Sequence, residues 1–314
     1  MRRRNLIRTL AGGAAVVLVG DCPLAMAQSG ADRSRPSPSR KPLLGFKQYG
    51  MKKIPVREAI HHIGKIGYKA LSLTLMPTWD TEPKLLSKTD RAEIRKQIGD
   101  LGLVLSTVME SLRLLAGPNT NRERNLERLR VAAELAHDLS PGAPAAIETT
   151  LGGQPAAWEQ IKREMAGELG VWAKTLEPLK TVVAIEGHVG NAVDRPEKVL
   201  WMLDQVKSPW VANLFDYSHY KLQGLGVRET LRQLASRTVA HHVKDSVGTE
   251  DKYRFLLPGD SGEIDYKEYA RTLGEIGYRG ALLLEVSAQI FNQPGYDALA
   301  TAKHCWDNMA PFFA

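Results

Sequence analysis

The chain has 314 residues, 43% hydrophobic and 25% charged, which excludes a disordered or collagen-like polymer and suffices for one large domain or two small ones. Its net charge of +7 gathers at one end. Residues 1–27 and 28–42 each carry a net +3, so the rest is close to neutral, which argues against a nucleic-acid-binding domain. Two cysteines, Cys22 and Cys305, are too few for a Cys-rich zinc module.

Residues 1–27 read as a secretory signal peptide. Met1 to Arg8 is positive, Leu10 to Gly20 is modestly apolar, and Ala25-Met26-Ala27 fits a small-x-small cleavage site. Arg3-Arg4 followed by Asn5-Leu6-Ile7 has the form of a twin-arginine signal; an ordinary Sec signal is the alternative. An exported protein, periplasmic or extracellular, is expected. The apolar run is too short to span a bilayer, and Asp21 before Cys22 argues against lipidation, so no stable membrane anchor is expected. Residues 28–42 lack apolar periodicity and read as a flexible tether.

From Leu43 onward, apolar runs of strand length alternate with helical segments. Strands are expected at 43–47, 70–75, 103–108, 144–149, 182–187, 211–216, 238–243 and 281–285. Helices are expected at 55–66, 87–101, 122–137, 156–177, 195–206, 226–235, 265–276 and 295–310. Lys65-Ile66-Gly67-Tyr68 and Glu275-Ile276-Gly277-Tyr278 repeat one device, a helix capped by Gly and leading into a strand. Eight such units predict parallel strands with right-handed crossovers, an α/β fold of the (β/α)8 TIM barrel type, over residues 43–314 as a single domain. The rival, an open doubly wound sheet, lacks the Gly-rich phosphate loop after its first strand.

Function in a TIM barrel sits at the C-terminal ends of the strands. The last four strands end in Glu186, Asp216, His242 and Glu285. A lone carboxylate there is most often a cap or an ion-pair partner, but four ionisable groups on consecutive units need a common reason. Three converging carboxylates repel unless a cation joins them. Oxygen donors with one imidazole suit a divalent metal ion, Mn²⁺ first, with Mg²⁺, Co²⁺ or Zn²⁺ as alternatives.

Ile185-Glu186-Gly187-His188, Phe215-Asp216-Tyr217-Ser218-His219, His242-Val243-Lys244-Asp245 and Leu284-Glu285 resemble the signature of the sugar phosphate isomerase/epimerase family. This is the xylose isomerase-like barrel group that includes D-tagatose 3-epimerase and endonuclease IV. Pro258 to Tyr266 and Ile276 to Gly280 are similar to the same family, so the likeness is specific in the C-terminal half and diffuse before it. The resemblance implies Glu186, Asp216, His242 and Glu285 as metal ligands, and Glu186 and Glu285 as the catalytic acid and base on opposite faces of a carbohydrate substrate. It implies His188 and His219 as substrate contacts. Lys244 fits either an oxyanion contact or an ion pair, and Trp79 either a sugar-stacking platform or a loop anchor. The chain departs from the epimerases at Ala192 and Gly248, where they place a glutamate and an arginine that contact the sugar; Arg254 is a candidate substitute. Glu110 and Glu148 read as structural before substrate-binding. His61, His62, His137 and His304 fall in helices.

The expected function is a metal-dependent sugar isomerase or epimerase that abstracts a proton beside a carbonyl. An exported lyase or hydrolase cleaving 3-keto-glycosides is the alternative. An endonuclease IV-like nuclease needs more histidines and a basic groove, and a non-catalytic sugar-binding barrel would not need both glutamates. The sequence does not fix the oligomeric state and is compatible with a homo-oligomer.

Overall fold

The structure, a computed structural model, describes residues 41–115 and 121–314. The expected signal peptide (1–27) and tether up to residue 40 lie outside the described residues. Lys41, the last cation of that tether, donates its ammonium to the carbonyl of Ala314 at 2.6 Å.

In chain order the elements are β1 (Leu43–Lys47), α1 (Val56–Ile66), β2 (Ala70–Thr74), α2 (Lys88–Asp100), β3 (Val104–Met109) and α3 (Arg122–Leu139). Then follow β4 (Ala146–Thr150), α4 (Trp158–Leu176), β5 (Val183–Glu186), α5 (Pro196–Val206), β6 (Val211–Asp216), α6 (Tyr217–Lys221), α7 (Val227–Leu234) and β7 (Thr238–Val243). The last are β8 (Asp245–Thr249), β9 (Lys252–Leu256), α8 (Tyr266–Glu275), β10 (Ala281–Leu284), α9 (Ala288–Phe291) and α10 (Ala298–Phe313). Eight strands close in the order β1-β10-β7-β6-β5-β4-β3-β2, and β8 and β9 form a separate pair. Every barrel pairing is parallel, including the β1–β10 seam. The fold is the single-domain TIM barrel that the alternation predicts.

Each predicted strand lies within two residues of its observed position. The antiparallel hairpin β8–β9 and the short helices α6 and α9 were not predicted. The hairpin is masked in sequence because β8 carries Ser246, Gly248 and Thr249 where an apolar alternation would mark a strand, and only Phe255 of β9 is buried.

The two faces of each strand join different cores. On β5, Val183 and Ile185 pack outward with the helices, while Ala184 joins Ala146, Ala212, Leu214 and Ala240 inside the barrel. Outward side chains are large and fully buried, such as Phe46, Phe215 and Leu284. Each such side chain contributes about 1.5–3 kcal/mol by leaving water. Inside, small residues fill the floor, because a barrel of eight strands is only wide enough for side chains to fill it. Gly67 and Gly277, the capping pair of the internal repeat, adopt φ of 121° and 69°. The tyrosines after them are tied down, Tyr68 to the carbonyl of Ala302 and Tyr278 to that of Ala281, both at 2.9 Å. At α2 the start is fixed by a capping box between Ser87 and Asp90.

Candidate active site and metal centre

Six of the eight strands end on the same inward pattern. A small or apolar residue faces the floor, a buried residue that is apolar in every strand but β7 (His241) faces the helices, and an ionisable residue faces the mouth. The triplets are Gly45-Phe46-Lys47, Ala146-Ile147-Glu148, Ala184-Ile185-Glu186, Leu214-Phe215-Asp216, Ala240-His241-His242 and Leu283-Leu284-Glu285. The period of two along a strand aims every third member at one central space. These six residues, with Lys244, are at most 8% exposed. Gly187, just past β5, is required by close approach: a Cβ there would lie 2.5 Å from the Tyr220 hydroxyl.

His242 stands at the centre. Its Nδ1 is 3.0 Å from Glu186 Oε1 and 3.0 Å from Glu285 Oε2, and its Nε2 is 3.0 Å from Glu148 Oε2. Lys47 Nζ lies 2.7 Å from both Glu148 Oε1 and Glu285 Oε2. Lys244 ion-pairs with Asp216 and reaches Glu285 Oε1 at 3.1 Å. Asp216 also accepts the backbone N–H of Ser218 at 2.9 Å. His219 Nε2 stands 3.3 Å from Lys244 Nζ, 3.7 Å from Asp216 and 3.9 Å from Glu186. The His188 ring lies 3.9 Å from the His219 ring, centre to centre, and its Nδ1 contacts its neighbour's carbonyl at Val189, 2.6 Å away.

Burial drives every carboxyl here toward the neutral acid, and the counter-charges decide which resist. Glu148 pays that burial cost, yet Lys47 and His242 hold it at about 2. Glu285 is pushed up by burial but held well below the carboxylate range by Lys244, Lys47 and His242. Glu186 is lowered against the same burial by its hydrogen bond and charge contact with His242, helped by Lys244. For Asp216 burial wins: it is raised in spite of Lys244, with Glu186 and Glu285 adding to the rise. Burial and Lys47 press His242 down, but Glu148 and Glu285 carry it well above the imidazole range. His219 is lowered by burial, His188 and Lys244, and stays neutral. Burial works against the charge on Lys47 and Lys244, yet their carboxylate partners raise both, so both remain cations.

The structure brings Glu186, His242, Glu285, Asp216, His219, His188 and Lys244 into one space. It separates the expected ligands, however. Glu186, His242 and Glu285 offer donor atoms within 4.8 Å of one another, and Glu186, His188 and His219 do so too, whereas Asp216 belongs to neither set. Asp216 faces Lys244 instead. Trp79 is 3% exposed and lies behind Tyr49, stacked on it at 5.6 Å, so it anchors the loop and Tyr49 is the half-buried ring. Arg254 is exposed on β9; the alternating residue Phe255 is the one turned inward, 5.2 Å from the His219 ring and 5.0 Å from Lys244 Nζ. Glu110 is bound to Arg128 at 2.6 Å and is structural. His61 and His304 are exposed, and His62 and His137 are half-buried in helices.

The sequence reading missed Lys47 altogether and placed Glu148 as structural first and substrate-binding second; both sit at the centre. The signal was present in the repeated triplet, which marks β1 and β4 as clearly as β5. Four carboxylates and two lysines leave the site at −2 when His242 is neutral, which a divalent cation balances. The Glu186–His242–Glu285 donor set therefore fits such an ion in both geometry and charge.

A family model described as the xylose isomerase-like TIM barrel matches residues 60–305. Among solved structures, the IolI protein with a bound zinc atom superposes with a TM-score of 0.69 at 17% identity, covering 87% of this chain and 99% of that one. The D-psicose 3-epimerase of Clostridium cellulolyticum H10, solved with D-tagatose, gives 0.63 at 14% identity, covering 86% and 99%. The 3-keto-D-glucoside 4-epimerase YcjR of E. coli gives 0.61 at 16% identity, covering 84% and 100%. At such identities the likeness shows the fold alone. No curated protein matches the chain. The matched span runs from α1 into α10, and the chain belongs to the xylose isomerase-like TIM barrel family.

Proposed function

We propose that the protein is a metal-dependent isomerase or epimerase that acts on a sugar or keto-sugar by removing a proton beside a carbonyl. The observation that carries this reading is the convergence of Glu186, His242 and Glu285 donor atoms within 4.8 Å at the buried end of the barrel mouth. Glu186, His242 and Glu285 would hold the ion, with Asp216 reaching it only if Lys244 gives way. A divalent ion, Mn²⁺ first, supplies polarisation of the substrate carbonyl and balances the negative charge that builds there. Glu186 takes the proton, and His188 and His219 contact the substrate from the adjoining wall. Tyr49 on one side and Phe255 on the other offer aromatic faces to a sugar ring. Sugar epimerases among the structural neighbours agree with this choice of substrate class.

One observation favours a second reading. Lys47 and Lys244 both grip Glu285 and suppress its basicity, so Glu186 is the stronger base of the pair. Epimerisation with a proton returned on the opposite face needs both groups. Elimination or hydrolysis of a 3-keto-glycoside needs only one base to start, so a lyase or hydrolase is the alternative.

The test is to incubate Mn²⁺-loaded mature protein with ketoses and 3-keto-glycosides in D₂O and follow products by NMR. Deuterium beside the carbonyl without bond cleavage supports the epimerase, and aglycone release supports the lyase. No exchange with any of these sugars overturns both. Export is part of the proposal: N-terminal sequencing of the protein recovered from outside the cytoplasm should begin at Gln28, and a cytoplasmic chain that keeps residues 1–27 would refute it.

A further inference from the structure

His242 separates two kinds of partner. Its Nδ1 faces Glu186 and Glu285, the two carboxylates of the donor set, each at 3.0 Å. Its Nε2 faces Glu148 Oε2, also at 3.0 Å. Glu148 is 1% exposed, and among the described residues His242 Nε2 is the one donor to Oε2. A buried carboxylate oxygen without a donor is costly, so the Nε2 proton belongs between the two groups. Lys47 lies against the imidazole, 2.9 Å from Nε2 and 3.4 Å from Nδ1; it donates to Glu285 Oε2 and ion-pairs with Glu148 Oε1, each at 2.7 Å. Its ion pair holds Glu148 in place beside His242.

We propose that Glu148, anchored by Lys47, is the positioning residue that sets the His242 tautomer: its carboxylate accepts a hydrogen bond from Nε2–H, which keeps the proton on Nε2 and leaves Nδ1 to the cation. The inference rests on the reading of this barrel end as a cation site. It adds to that reading a carboxylate–histidine arm built from β4 and β7, with β1 supplying the cation that holds it. Partners of this kind behind a ligating histidine typically change metal affinity 10–100-fold, so about that loss is expected from Glu148→Ala.

The experiment uses full-length protein labelled with ¹⁵N-histidine and loaded with Zn²⁺, which is diamagnetic. In the wild type, long-range ¹H–¹⁵N spectra should show His242 protonated at Nε2 with a metal-shifted Nδ1. Calorimetric titration with Zn²⁺ should give the 10–100-fold loss in Glu148→Ala and a smaller loss in Glu148→Gln, whose amide oxygen still accepts the hydrogen bond. Glu110→Gln, a buried glutamate paired with Arg128 outside the site, should bind Zn²⁺ as the wild type does. Should Glu148→Ala fail to melt cooperatively in EDTA, Glu148→Gln decides alone. Wild-type affinity in the folded Glu148 variants, or a His242 protonated at Nδ1 in the loaded wild type, overturns the proposal. A wild-type protein that takes up no Zn²⁺ overturns the cation reading and this arm together.

Discussion

Replacing Lys244 with methionine asks what allows four carboxylates to share one buried space. Lys244 ion-pairs with Asp216, which is fully buried, and reaches Glu285 Oε1 at 3.1 Å. Methionine keeps the stem and removes the charge, leaving Asp216 a buried carboxylate whose one remaining donor among the described residues is the N–H of Ser218. Breaking a buried pair from one side costs about 3–5 kcal/mol. For a barrel of this size that lowers Tm by about 6–10 °C. The assay is a melt followed by circular dichroism at pH 7 in EDTA, so that no cation substitutes for the lysine. The pH dependence fixes the cause. In the variant, Asp216 keeps a folded pKa above its unfolded value of 3.8, because burial already raises it with Lys244 present. A carboxyl raised in the folded state gains stability as pH falls through that pKa, so the deficit should narrow toward pH 5. Adding Asp216→Asn removes the stranded charge and should recover part of the loss. A Tm unchanged at pH 7, or a double variant whose losses simply add, would refute the idea that Lys244 is present chiefly as a counter-charge.

Three further outcomes are expected. Glu186→Gln removes one charge and one donor oxygen from the Glu186–His242–Glu285 set, and elemental analysis after dialysis should find the divalent ion lost while circular dichroism shows an intact barrel. Cation affinity should rise between pH 6 and pH 8, with proton release seen as a buffer-dependent heat, because His242 is raised well above the imidazole range and must give up a proton to serve as a ligand. An affinity that is flat with pH would count against His242 as a ligand. Gly187→Ala drives a Cβ to 2.5 Å from the Tyr220 hydroxyl and 2.9 Å from Val199, and overpacking of this kind costs about 1–3 kcal/mol, readable as a lower denaturant midpoint.

The barrel was legible in the chain because its strands carry a local signal. An apolar run between capped helices announces itself without knowledge of its neighbours, and eight of them in alternation leave few topologies. The hairpin β8–β9 was not legible for the opposite reason: β8 is mostly polar, and the buried residues of the pair, Asp245, Ser246 and Phe255, form no apolar alternation. Glu186, Asp216, His242 and Glu285 could be named because each ends an apolar run. Lys47 also ends one, but a lysine at a strand end reads as solvated until the β1–β10 seam closes and sets it beside Glu285.

What the sequence determined by itself is therefore the periodicity: eight strands, their facing, and an ionisable residue at the end of each of six. What only the tertiary structure decided is pairing. Which carboxylate meets which cation depends on strand order and closure, since Lys47 and Glu285 are 238 positions apart and Glu148 and His242 are 94 apart. Charges in a low-dielectric interior are governed by distances of about 3 Å, and the chain reports no distance between residues that far apart in sequence. Closure of the barrel turned a row of strand-end charges into Asp216 held by Lys244, Glu148 held by Lys47, and the Glu186–His242–Glu285 set left to receive a cation.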